Sequence, residues 1–321
     1  MMPLFKVEMP ANAGIFFAHM MQIAAFDFYD FSDHIHELFQ IEPTDPLSPN
    51  FEAIGFESQY FLVNMGSMVL FYLFFFLLVL LSLILMLCCS SKRCKRVGKF
   101  RASLKRKIYW GQLITLMNES YSILFICVLI NAKVLSYDTK GLTVMSVLCA
   151  IFLSLSILVP FIFTVHLCRN SKELHKKKWF ESYGAFYQGL DTRVGKKFLA
   201  VPVFFLIRRA MLAVAVCVVN KTLIYQVYIM WGQIVFQTFI IGSGVYSTKG
   251  ARRSEFFNEI TLMLVLYTVL CFSPWLDDIA MRIIIGYIVC SIVIIHFLVN
   301  FFIILRGTYD VILTKCLKKG A

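Results

Sequence analysis

The sequence predicts an all-α protein, a polytopic transmembrane helical bundle with seven firm spans and a candidate eighth near the N-terminus. Three observations lead there. The chain has 321 residues, 59% of them hydrophobic and 16% charged. A soluble domain of that size cannot bury so much apolar surface. The apolar residues fall in seven continuous runs, at 61–89, 110–132, 143–168, 198–219, 222–246, 256–274 and 279–305. Crossing a hydrocarbon core of about 30 Å takes roughly 20 helical residues. The strands of a barrel would alternate every second residue, and these runs are unbroken.

The third observation is the placement of charge. Nine lysines and arginines lie between 92 and 107, and eight between 169 and 197. Lys249, Arg252 and Arg253 follow the fifth run; Arg306, Lys315, Lys318 and Lys319 follow the seventh. The intervening loops hold only Lys133, Lys140 and Lys221. This is the positive-inside pattern, and it puts the C-terminus in the cytosol. The net charge of +12 is therefore explained by topology, and no nucleic-acid partner is expected. The same loops attract anionic lipid at about 1 kcal/mol per residue.

Three regions follow: residues 1–60, a transmembrane helical domain over 61–305, and a basic cytosolic tail over 306–321. In the first, residues 11–28 are mostly apolar but include His19, Gln22 and Asp27. Two readings stand: a short span running from the cytosol outward, or an amphipathic helix on the outer surface. Residues 27–57 carry eight acidic side chains and no Lys or Arg, which suits the outer side. EPTDPLSPN at 42–50, with three prolines, predicts an extended or turn-rich loop.

Polar groups inside the runs are the candidate functional residues, because an ionised group at the bilayer centre costs about 2.5–3.5 kcal/mol on insertion scales. Glu119 in the second run and Arg208 in the fourth lie at equal depth, roughly 15 Å from the cytosolic face at 1.5 Å per residue. They predict an intramembrane ion pair of Glu119 with Arg208 or Arg209. Its bland role is to lock helix packing, and its functional role is to line a permeation or gating path. Gln226, Gln233 and Gln237 share one helical face, as an interhelical seam or a pore wall. Asp277 and Asp278 form a candidate outer acidic pair, either a cation vestibule or a solvated turn. Asn258 and Glu259 read as the first turn of the sixth helix, suited to the helix dipole. Residues 172–197 mix aromatics, glycines and lysines, and predict a broken amphipathic helix in the inner headgroup layer.

Several chemistries find no support. None of the ten cysteines lies in an outer segment and no CxxC pair occurs, so neither a disulfide framework nor a zinc site is expected. Cys88, Cys89 and Cys94 flank the basic stretch as palmitoylation candidates. IGSGV at 241–245 lacks the GxSxG spacing, and no HExxH occurs. No enzyme activity and no cofactor are expected. His34 and His36 with Asp30 and Asp33 read as solvated polarity rather than metal ligands.

A set of segments in fixed order carries a family resemblance: PANAGIFF (10–17), IAAFD (23–27), GFESQYFLVNMGS (55–67), NESY (118–121), YGAFYQGL (183–190), PVFFLIRR (202–209), FNEITLML (257–264) and PWLDD (274–278). The chain resembles a family of ciliate multi-pass membrane proteins. Their transmembrane core is similar to the C-terminal region of fungal TRP-like (transient receptor potential-like) proteins. The resemblance implies a TRP-like integral membrane protein of channel type, passing cations and assembling as a homo-oligomer, in the plasma membrane or an endomembrane. Family members carry this core behind a cysteine-rich ectodomain, so a short paralogue or an N-terminally truncated product is expected. The alternatives are the membrane anchor of such a cell-surface protein, a seven-helix receptor and a transporter.

Overall fold

The computed structural model describes residues 4–5, 7–25, 32–53, 55–66, 68–88, 111–219, 222–274 and 276–317. The basic stretch at 92–107, Cys89, Cys94, Asp27, Asp30, Asn220 and Lys221 lie outside the described residues. The described elements are helical: α1 (Ala11–Ala25), α2 (Ser32–Phe39), α3 (Pro49–Glu52), α4 (Phe61–Asn64), α5 (Met68–Cys88), α6 (Leu113–Asn131), α7 (Lys140–Arg169), α8 (Lys177–Tyr187), α9 (Ala200–Cys217), α10 (Leu223–Gly242), α11 (Lys249–Leu270) and α12 (Ile279–Leu317).

Five helices are long and apolar enough to cross a membrane: α6, α7, α9 with the 3₁₀ turn before it, α10, and α12 as far as Asp310. The expected seven are therefore supported for five. The first run is not one helix, because a turn at Met65 and Gly66 separates α4 from α5. Gly66 adopts φ 47° there, a conformation that costs a side chain strain. Beyond the turn α5 runs for 21 residues and is apolar over Met68–Ile84. The sixth run begins inside α11. That helix starts at Lys249, where the Thr248 side chain accepts from Ala251 N, and its first half carries Arg252, Arg253, Glu255 and Glu259.

Neighbouring helices pack in the order α7, α6, α9, α10, α11, α12, α1. The connections α6–α7, α9–α10 and α11–α12 lie at one end together with the acidic N-terminal region. Phe61 N donates to Asn131 Oδ1 at 3.4 Å, Lys133 Nζ donates to Cys217 O at 2.5 Å, and Asn50 Nδ2 donates to Phe5 O at 2.8 Å. This is the acidic face. The connections α7–α9 and α10–α11 form the opposite, basic face. There α8 covers a small apolar core of Leu167, Leu174, Tyr187, Phe198 and Val245. The two basic-face connections are tied by backbone bonds from Asp191 N to Val245 O (2.8 Å) and from Ser247 N to Gly189 O (3.0 Å). The amphipathic segment over 172–197 is thus present as α8 plus a 3₁₀ turn, broken at Gly195 with φ 76°.

The N-terminal helix packs against α12. Asn12 Nδ2 donates to Ile283 O at 3.0 Å, and Phe17 shares a cavity wall with Val293 and His296. Ascending residues of α1 meet ascending residues of α12, so the two helices run parallel. Since α12 starts at the acidic face, α1 enters from that face and points inward. The chain is back at the acidic face by α2, where a Cβ on Gly141 at the start of α7 would sit 1.8 Å from Phe39 O.

Candidate functional site

The candidate site lies where α1, α9, α10, α11 and α12 converge, and its polarity follows from helix periodicity. On α10 the buried positions are Leu223, Gln226, Met230, Gln233, Ile234, Gln237, Ile240 and Ile241, a repeat of three and four that marks one face. All three glutamines are on it, while Tyr225, Tyr228, Phe236 and Phe239 are exposed. The helix is polar inward and apolar outward, the arrangement lipid demands.

Arg208, midway along α9, meets Glu259 of α11. Arg208 Nη1 donates to Glu259 Oε1 at 2.5 Å, with side-chain exposures of 18% and 7%. The expected partner of Arg208 was Glu119, so that half of the expectation is corrected. Arg209, the other arginine expected for Glu119, is within electrostatic range of it, and its guanidinium stacks 4.1 Å over the Phe205 ring. Glu119 itself is exposed at the bundle surface. Adjacent residues on a helix point about 100° apart, so the two arginines address different neighbours. Glu259 is also misplaced by sequence as a first-turn residue. It lies ten residues beyond the helix start, since α11 begins well before the apolar run.

Around the pair is a cavity of about 410 Å³, lined by Arg208, Gln237, Glu255, Asn258, Glu259 and His296 among others. A second cavity, of about 300 Å³, holds Ser122, Arg208 and Arg209; the two share Phe205, Arg208 and Leu262. Asn300 Nδ2 donates to Asn258 Oδ1 at 3.1 Å, and the His296 ring stacks on Phe257 at 5.7 Å. Glu259 Oε2, Gln237 Oε1, both amide atoms of Gln233, His296 Nδ1 and Arg209 Nη1 are buried without a hydrogen-bond partner. Native interiors leave few such atoms, and each asks for an explanation. Ser156 Oγ, His166 Nε2 and Ser273 Oγ are likewise buried without a partner, away from this cavity.

The basic-face platform touches this region through Tyr246. Burial, and then the carboxylates of Glu255 and Glu259, push its phenol above the ordinary value. Tyr246 packs on the small apolar core under α8, so one side chain belongs to that unit and lies within electrostatic range of the cavity carboxylates.

The remaining candidates separate. Gln226 Nε2 donates to Ala215 O at 3.0 Å, a bond between α10 and α9, whereas Gln237 lines the cavity. The three glutamines are thus one face with two jobs. Asp278 Oδ1 accepts from Ala280 N at 2.8 Å and Met281 N at 3.3 Å, which makes it the N-terminal cap of α12. Asp277 is exposed beside it. His36 Nδ1 contacts Ile41 O at 3.0 Å, and among the described residues no group of three metal-binding side chains converges. Glu255 and the wall residue Phe17 were not singled out by sequence, whereas His296 was among the polar groups noted within the apolar runs. Equal depth on neighbouring helices was the one signal available for Glu259.

Comparison with known protein families, curated proteins and solved structures finds no match to this chain.

Proposed function

We propose that this chain is a multi-pass membrane protein of the TRP-like channel type, which passes cations through an assembly of identical copies. In this reading α5 and α11 complete seven spans, the basic face is cytosolic, and the C-terminus with it. The observation that supports the reading is the polar cavity around Arg208 and Glu259 within otherwise apolar helices. Charged side chains at such depth pair with one another and mark ion pathways.

The test is conductance of the purified chain in planar bilayers. Wild type is expected to carry cation-selective current under voltage or stretch. Glu259→Gln, at the cavity wall, is expected to change unitary conductance or open probability by about tenfold, the scale of one buried charged contact. Silent bilayers for wild type under both stimuli overturn the reading. A transporter reading draws on the same cavity, because transporters bind cargo beside interrupted helices near the midplane. Solute flux without current would favour it.

A further inference from the structure

We propose that the cavity between α1, α9, α10, α11 and α12 binds a monovalent inorganic cation, held by oxygens of Glu255, Glu259, Gln237 and Asn258. The proposal deepens the channel reading and depends on it for its physiological use, but the site stands on local chemistry.

Charge balance comes first. Glu255 and Glu259 are one turn apart on α11, so they face the same way, and both line the cavity with Arg208. With both carboxylates ionised, the one guanidinium leaves a single negative charge, and the Asn258 side chain hydrogen-bonds Glu255. Arg209 contributes to the adjacent cavity, not to this one, and lies in the field of Glu119. An unbalanced charge among buried apolar residues is unfavourable until something neutralises it. One monovalent cation does so, and a divalent ion would reverse the sign.

The donor set agrees. Glu259 spends Oε1 on Arg208, and its Oε2 has no partner. Gln237 Oε1 likewise has none, although it comes from a different helix and is no part of the acidic pair. Glu259 is 5% exposed and Gln237 8%, so bulk water does not satisfy these atoms. Asn258 turns its Oδ1 toward Asn300 and keeps a second lone pair. Oxygen donors of this kind suit hard cations. A cavity of about 410 Å³ holds such an ion with several waters, each occupying about 30 Å³ in the liquid.

The experiment is sodium-23 NMR on the full purified chain in detergent, titrating NaCl against choline chloride at constant ionic strength and pH. Saturable line broadening that potassium displaces is expected. Glu255→Gln and Gln237→Leu are each expected to weaken apparent affinity about tenfold, the loss of roughly one charged or polar contact. Their helicity and thermal midpoint in choline should match wild type. If Gln237→Leu misfolds, Gln237→Glu replaces it and is expected to tighten sodium binding by a similar factor. No saturable broadening in wild type, or broadening unchanged by the variants, overturns the site. Bilayer recordings on the same preparation separate the two claims. Conductance without saturable sodium binding removes the site alone, and saturable binding with silent bilayers removes the channel reading alone.

Discussion

Arg208 shows how a charge is kept inside a helical bundle. Its guanidinium reaches across to α11 and donates to a carboxylate that is almost wholly buried. Removing one partner of such a pair strands the other, which costs about 3–5 kcal/mol. Glu259→Ala is therefore expected to lower stability by about 3 kcal/mol in thermal or denaturant unfolding in detergent, with Arg208→Met/Glu259→Leu recovering most of it. Glu119 lies on the surface of the bundle, outside the buried pair, so Glu119→Gln is expected to cost less stability than Glu259→Ala. A larger loss for Glu119→Gln than for Glu259→Ala would reverse this assignment. Sequence located both acids and both arginines but left open which arginine faces Glu119, and did not pair Arg208 with Glu259. Counting residues along a run yields depth, and depth does not say which neighbour a side chain faces.

Among the elements, α1 and α10 carry the most information. The stripe on α10 was legible because a period of three and four put all three glutamines on one face. Its division of labour was not, since Gln226 meets the α9 backbone only because α9 lies beside it. The direction of α1 was hidden for a related reason. Its apolar residues suit a span in either sense, and its partner is 271 positions away. Gly286 is what permits the docking. A Cβ there would sit 2.4 Å from Asn12 Oδ1 and 2.9 Å from Asn12 Cγ. Those distances put the two Cβ positions within disulfide reach, which needs about 3.5–4.5 Å. Asn12→Cys with Gly286→Cys is expected to cross-link on oxidation, seen as a reducible mobility shift after proteolysis between the two sites. Gln22→Cys with Gly286→Cys is expected not to. Cross-linking of the second pair and not the first would mean that α1 runs the other way.

At the scale of the whole molecule, the two faces differ in what covers the helix ends. The acidic face is capped by the N-terminal region, where Thr44 Oγ1 meets Ser58 Oγ at 2.9 Å and accepts from Gln59 N at 3.0 Å. The basic face is covered by α8 and clamped through Gly189, Asp191, Val245 and Ser247. Cysteines placed at Asp138 and Asp277, both exposed on the acidic face, are expected to react with a membrane-impermeant maleimide on intact cells. Cysteines at Lys172 and Ser247 should react only after permeabilisation. The opposite pattern would invert the proposed orientation. At 39 residues, α12 spans about 58 Å, well beyond a core of about 30 Å. Its end therefore projects past the basic face, where Phe302 and Ile304 are exposed.

Sequence by itself determined that this is a helical membrane protein, which residues are polar within apolar runs, and which loops share a face. Hydropathy and charge act locally along the chain, so those properties are written in consecutive residues. The tertiary structure alone decided that Arg208 meets Glu259, that α11 begins before its apolar run, and that α1 runs parallel to α12. Each depends on the rotation of one helix about its axis relative to another, or on a contact between distant segments. Packing sets that rotation, and no local pattern records it.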